Sequence, residues 1–213
     1  MLNLSLTIVT ACWRAENLPK VIECIDNQTY KGRVDHILVN DNNPEVREVL
    51  PTLCDNKKRF WIDSHVRGHY FGAISRNIGA MMAFAYQQER DIDNEYILFF
   101  DDDNLWTPDH LQNFVDTLTA NPEATLMASD AVWTGVNNPE WREVRPYRFH
   151  QGGFDLGQYM FKNELFKNYG YFNPRPRKKQ RYDWELISKM IKGEGDKFKT
   201  TNRATFILSY RKR

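Results

Sequence analysis

Asp101, Asp102 and Asp103 follow directly on the apolar run Tyr96-Ile97-Leu98-Phe99-Phe100. Adjacent carboxylates repel one another and shift towards the neutral form unless solvent or a cation compensates them. A hard divalent ion, Mn2+ or Mg2+, held by one or two of these carboxylates and by the oxygens of a substrate diphosphate, supplies that compensation. The plainer reading is a solvated acidic turn that caps a helix starting at Thr107; the strongly apolar segment before the triplet favours the ion. Two further polar groups fall where apolar runs end, Thr10 with Arg14 and Asn40 with Asp41. If those runs are parallel strands, all three groups share the edge where open sheets bind ligands.

Asp183 opens a helical pattern. A carboxylate there complements the helix dipole. Asp155, after Gly152-Gly153, reads as a turn residue. His65 and His69 are four apart but lie in no metal-binding pattern. Trp106, Trp133 and Trp141 are candidates for stacking on sugar rings, with packing the plainer reading, above all for Trp106.

These groups sit in a chain of 213 residues with a net charge of +1. Generic nucleic-acid binding normally needs a much larger positive excess, so it is disfavoured. The basic stretch Arg175–Arg181 reads as a solvated loop, or as one that closes over a diphosphate or an anionic acceptor. The tail Arg211-Lys212-Arg213 has the same alternatives, with weak attraction to an anionic membrane face as another. No stretch approaches the ~20 apolar residues of a membrane span. Met1–Thr10 lacks the basic start and cleavage site of a secretory leader. Three cysteines, Cys12, Cys24 and Cys54, cannot all pair, and none forms a CxxC, which fits structural thiols in a reducing cytoplasm.

The positioning elements alternate. Strands are expected at 5–10, 34–39, 59–63 and 95–100, and helices at 17–27, 45–53 and 73–88, followed by a helix capped by Thr107 with Pro108 in its first turn. That order predicts a mostly parallel α/β sheet covered on both faces. Beyond residue 120 the pattern loosens, with strands expected at 125–129, 143–149, 156–161 and 205–210 and a helix at 183–191. One domain is expected, residues 1–213, with a nucleotide-binding half up to about 106 and an acceptor-binding half from about 107.

Seven spaced segments in order resemble family 2 glycosyltransferases of the GT-A fold. They are Thr7–Thr10 with Arg14–Leu18, Asn27–Tyr30, Val39–Asn43, Ser75–Gly79, Phe99–Trp106, Gly153–Phe161 with Tyr169–Phe172, and Tyr182–Glu185. Each is short; together and in order they are specific. The chain departs from the pattern at Ala11-Cys12-Trp13 and at Asn40, where an acidic residue is usual.

The resemblance implies a Rossmann-like central sheet with a smaller, irregular acceptor side, and a metal-dependent inverting transfer of a sugar from a nucleotide-diphosphate donor. The expected donor is UDP-linked, and the acceptor a saccharide or glycolipid. Asp41 would accept the imide N–H of the base, with Thr10 and Arg14 near the nucleoside and Arg76 by the nucleotide or donor sugar. Asp101 would contact the ribose or the metal's waters, Asp103 would ligate Mn2+ or Mg2+, and Asp102 lies between them. Asp183 would be the base, and Asp155 would lie near the donor sugar. The expected setting is cytoplasmic, with peripheral contact at the inner membrane face as an option. A non-catalytic sugar-nucleotide or carbohydrate-binding module is the alternative, and an aspartate-nucleophile phosphatase is disfavoured because its acidic motif would follow the first strand.

Overall fold

Ser5–Cys12 is buried along nearly its whole length, as a strand covered on both faces must be. The computed structural model describes residues 4–54, 58–66, 72–90, 95–135, 142–148, 155–175 and 182–210. Its strands are β1 (Ser5–Cys12), β2 (Arg33–Asn40), β3 (Arg59–Asp63), β4 (Glu95–Phe99), β5 (Leu105–Trp106), β6 (Leu126–Gly135), β7 (Arg142–Arg145), β8 (Tyr159–Lys162) and β9 (Phe198–Tyr210). Its helices are α1 (Leu18–Asp26), α2 (Pro44–Leu53), α3 (Ala73–Arg90), α4 (His110–Ala120), α5 (Glu164–Tyr169) and α6 (Tyr182–Glu194).

The sheet order is β3-β2-β1-β4-β8-β6-β9-β5, with β7 on β6. β3, β2, β1 and β4 run parallel; β8 then pairs antiparallel with both β4 and β6, and β9 is parallel to β6. The chain moves outward from β1 to β2 and β3, then returns to place β4 on the other side of β1. That reversal is a topological switch point, and the crevice beyond the carboxyl ends of β1 and β4 is where such a sheet accepts ligands.

Alternation along the strands divides the core. Val9, Ile37, Val39, Ile97, Phe99 and Phe161 face one side, where Phe166, Phe172, Leu186 and Ile187 cover them. Leu6, Ile8, Leu98 and Phe100 face the other side, under Val21, Ile25, Phe114 and Leu118 of α1 and α4. Phe99 makes edge-on contacts with Phe161, Phe166 and Phe172 at centroid distances of 5.8, 5.8 and 5.2 Å, which ties the end of β4 to the C-terminal half. Gly79 lets α3 lie close on β1, since a Cβ there would come within 2.2 Å of Val9 Cγ1.

Several boundaries differ from the sequence reading. Thr107 does not cap α4, which starts at His110. Residues 105–106 are drawn into β5 against β9; the Thr107 N–H donates to Thr205 O (2.9 Å), and its hydroxyl bonds Asp109 (2.6 Å). β9 begins seven residues earlier than expected and β6 runs to Gly135, because the two pair in parallel over most of their lengths. The 156–161 strand divides into a 3-10 turn, Leu156–Gln158, and β8. α5 and β5 were not expected at all.

Candidate active site

The loop after β1 and the acidic turn after β4 meet at the switch point, and one carboxylate joins them. Asp102, 4% exposed, accepts from the Trp13 and Arg14 amides, each at 2.7 Å, and from Arg14 Nη1 at 2.5 Å. Burial pushes its carboxyl up, while the two amides and the Arg14 charge oppose that push. Asp102 therefore fastens the two strand ends to each other. Arg14 also reaches Asp103 Oδ2 at 3.2 Å, and Asp103 is 46% exposed.

Arg76 lies in the first turn of α3, where its backbone N–H donates to Gly72 O (2.9 Å), and its side chain is nearly buried. Its Nη2 pairs with Asp101 Oδ1. Arg14 and Arg76 thus supply part of that compensation within the chain itself, and leave Asp101 and Asp103 partly exposed.

One residue earlier, the Ser75 hydroxyl donates to Asp41 Oδ1 at 2.6 Å, so the start of α3 holds the end of β2 as well. Asn40 braces the same corner: its Nδ2 donates to Asp63 Oδ1 (3.2 Å), and its Oδ1 accepts from the Asn43 amide (2.9 Å). Arg47 from α2 pairs with the other oxygen of Asp63. Asn43 caps α2 by accepting from Glu45 N at 3.0 Å and sends its amide to Trp13 O at 2.6 Å.

Thr10 lies near the end of β1, with its side chain fully buried and bonded to His36 Nε2 at 3.0 Å. That hydroxyl faces the α1 side of the sheet.

Asp155 and Asp183 approach from the C-terminal half. Asp155 accepts from Gly157 N at 3.0 Å and faces Asn104 Nδ2 at 3.5 Å, which places it beside the acidic turn. Burial, and then the Asp101 charge, push it up to about 7, and Asp183 adds to the push. Asp183 stands in the first turn of α6, where its Oδ1 accepts from the Trp184 amide at 2.7 Å. Asp183 and Asp155 also both raise Tyr159, whose hydroxyl bonds Tyr147 Oη at 3.0 Å, although burial is the larger cause there. Asp101, Asp155, Asp183 and Tyr159 therefore share one electrostatic neighbourhood.

A carboxyl raised to about 7 from its ordinary ~3.9 binds its proton more tightly in the native protein than in the unfolded chain. Stability then falls as pH rises through that window and levels off above it. Asp155→Asn keeps the acceptor for Gly157 and removes the titration. In urea unfolding, this variant should gain on wild type between pH 5 and pH 8 by about 1 kcal/mol or more, the worth of one pKa unit. A pH-independent difference would remove Asp155 from the titrating network.

Ser75, Asn77, Asn104, Arg47 and Tyr159 escaped the sequence reading as site residues. Ser75 and Asn77 flank Arg76, so their neighbour was a usable signal. The Asn77 side chain both donates to Phe172 O (2.8 Å) and accepts from Phe172 N (2.9 Å), binding α3 to the C-terminal half. Trp106 is packing, as the plainer reading held: it stacks between Phe100 and His110, and its Nε1 donates to Gly157 O at 3.0 Å. Trp133 lies under the Arg145 guanidinium at 3.8 Å. His65 is exposed on a loop, 3.7 Å from Asp63. None of the three cysteines is in a disulfide. His69, Trp141, Gly153, the 176–181 part of the basic stretch and the 211–213 tail lie outside the described residues.

The family model for glycosyl transferase family 2 matches residues 7–192, a span that contains every one of these site groups. The chain belongs to glycosyl transferase family 2. Its architecture is that of GT-A proteins in the solved structures it resembles. A crystal structure of S. aureus TarS 1-349 is 12% identical with a TM-score of 0.72, over 97% of this chain and 60% of that one. TarS 1-349 in complex with UDP-GlcNAc is 11% identical, with a TM-score of 0.69 over 99% and 60%. The mannosyltransferase PcManGT from Pyrobaculum calidifontis, in complex with GDP-Man and Mn2+, is 16% identical, with a TM-score of 0.70 over 100% and 59%. The family 2 chain described here thus spans about 60% of the length of these structures.

Among the described residues, no three His, Cys, Asp or Glu side chains converge as a ready-made metal cage. A site completed by ligand phosphates needs only one or two carboxylates. Asp101, a quarter exposed, and the more open Asp103 offer hard oxygens on either side of buried Asp102. That donor set fits Mn2+ or Mg2+. Among the described residues, no helix is long and apolar enough to cross a membrane.

Proposed function

We propose that this chain is a metal-dependent inverting glycosyltransferase that moves a sugar from a nucleotide-diphosphate donor, UDP-linked, to a saccharide or glycolipid acceptor. The observation that carries the reading is the convergence of the acidic turn, Arg76 and Asp155 at the switch point, with Asp183 in the same electrostatic neighbourhood. Support comes from the family match and from solved structures of the same fold in complex with UDP, with UDP-GlcNAc, and with GDP-Man and Mn2+.

In this reading the nucleotide lies across the ends of β1, β2 and β4, in the half up to about residue 106. Asp41, held by Ser75, accepts from the base, and Arg14 borders the nucleoside. Arg76 lies by the donor phosphates or sugar. Asp103, with Asp101 directly or through water, would hold Mn2+ or Mg2+, which when bound neutralises charge on the diphosphate. Asp102 contributes by fixing the loop that carries Trp13 and Arg14.

The acceptor enters from the half beyond about residue 107. Its hydroxyl gives its proton to Asp183 as the oxygen attacks the anomeric carbon, and the bond from that carbon to the diphosphate oxygen breaks. One displacement inverts the anomeric configuration. Asp155, beside Asp101, lies near the donor sugar.

The test is a panel of nucleotide sugars with and without Mn2+, followed by thermal shift and by release of nucleoside diphosphate. A ligand at 100 times its Kd adds about 2.7 kcal/mol to native stability. One donor should raise the melting temperature in the presence of the metal and release its nucleoside diphosphate faster when an acceptor saccharide is added. A donor that stabilises the protein yet is neither hydrolysed nor transferred would make the chain a binding module; no response to any donor would sink the reading.

A further inference from the structure

Arg14 is gripped twice by one carboxylate. Its backbone N–H donates to Asp102 Oδ2 at 2.7 Å and its Nη1 to Asp102 Oδ1 at 2.5 Å, and Asp102 is itself buried. The main chain on either side is equally fixed: Asn43 Nδ2 donates to Trp13 O at 2.6 Å, and Arg14 O accepts from the Asn17 amide at 3.2 Å. From that seat the same Nη1 reaches Asp103 Oδ2 at 3.2 Å. Burial works against the Arg14 charge, but the charges of Asp102 and Asp103 outweigh it and hold the guanidinium ionised.

Asp103 is the most open carboxylate of the acidic turn, and it is the one that Arg14 already faces. A divalent ion ligated to Asp103 Oδ2 at ~2 Å lies at most about 5 Å from Arg14 Nη1. At that range a double and a single positive charge repel strongly enough to weaken binding about tenfold in the dielectric of bulk water, and further near a protein surface. An ion that comes alone must therefore displace a guanidinium that Asp102 holds in place, or bind against its charge. A donor diphosphate reverses the balance. Its oxygens ligate the ion and bring negative charge that ion and guanidinium can share.

We propose that Arg14 guards the acidic turn: it disfavours a divalent ion that arrives alone and admits one that arrives with the donor diphosphate. The inference rests on the metal role proposed above for Asp103, and adds to it an order of binding and the residue that imposes it. Asp102 is a positioning residue in this device. It touches neither ion nor donor, and acts by holding both the backbone and the side chain of Arg14.

Titration of the whole chain with Mn2+, followed by the electron paramagnetic resonance of the free ion, reads this without turnover. Wild type should bind Mn2+ about tenfold or more weakly alone than with UDP, after correction for the Mn2+ that UDP holds by itself. Arg14→Met should bind Mn2+ alone about tenfold or more tightly than wild type, whereas Arg14→Lys, which keeps the charge, should stay within about threefold of it. Arg14→Met strands the buried Asp102, so the paired change Arg14→Met/Asp102→Asn is the second variant. Both backbone amides meet the same oxygen of Asp102, and one amide oxygen can still accept from both; this variant too should bind free Mn2+ more tightly than wild type. Equal affinity for free Mn2+ in wild type and both methionine variants would overturn the guard and leave the metal reading standing. A lysine variant as tight as the methionine one would also overturn it, since charge would then not be the cause. No Mn2+ bound by any of these proteins, with or without UDP, would overturn the guard and the metal reading together.

Discussion

Asp183→Asn should lower the rate of sugar transfer by about 10²–10⁴-fold, the usual worth of a positioned general base. Donor affinity should change little. The amide preserves the shape of the residue and can still accept from the Trp184 N–H, as Asp183 does at 2.7 Å, so the start of α6 has no reason to unravel. It can no longer take a proton. A structural carboxylate at a helix N-terminus would behave differently, since its replacement removes only a dipole interaction of ~0.3–1 kcal/mol and leaves turnover intact. Single-turnover transfer with the donor identified by the panel separates the two. Unchanged turnover in Asp183→Asn would take this residue out of the chemistry.

Arg76→Met should cost about 3 kcal/mol of unfolding free energy and abolish measurable donor binding. Arg76 is nearly buried and pairs with Asp101 at the point where Asp102 and Asp155 also lie. Removing one member of a buried pair strands the other, at a cost of ~3–5 kcal/mol; the low end applies because Asp101 is a quarter exposed. Arg76 also holds Asp155 down against burial and the Asp101 charge, so the methionine variant should titrate Asp155 at still higher pH. Its loss of stability should therefore be larger at pH 8 than at pH 5. Urea unfolding at both values checks the size and the direction. A variant within about 0.5 kcal/mol of wild type, the spread of unremarkable surface changes, would show that solvent already compensates Asp101.

Both effects depend on side chains whose positions were only partly legible in the sequence. The first four strands and α3 could be read because their apolar residues repeat with a clear period and are punctuated by polar clusters. The two-residue β5 and the six-residue α5 have no room for a period. The early part of β9, Lys199-Thr200-Thr201-Asn202-Arg203, is polar, and its strand character comes from the pairing of Lys199, Thr200 and Ala204 with β6 on either side of a register irregularity rather than from its own pattern. Tertiary pairing overrides weak local preference in such segments.

The site shows the same division. Thr10 with Arg14, Asn40 with Asp41, and the acidic turn could be named as one strand-end group from the sequence, and Arg76 only through the family resemblance. The division of labour within Asp101–Asp103 could not, because three identical carboxylates differ only in what they meet: Arg76, the Trp13 and Arg14 amides, and Arg14 with solvent. The orientation of Thr10 was legible in principle. Alternation places it on the same face as Leu6 and Ile8, which lie under α1.

Asn77 sets a mechanical condition on the molecule. Its one amide grips both the N–H and the C=O of Phe172, at 2.9 and 2.8 Å, while its neighbour Arg76 grips the acidic turn. Phe172 is itself wedged against Phe99. The helix start is therefore tied to both walls of the crevice at once, so a tilt of α3 has either to break these contacts or to carry the acidic turn and the Phe172 segment with it.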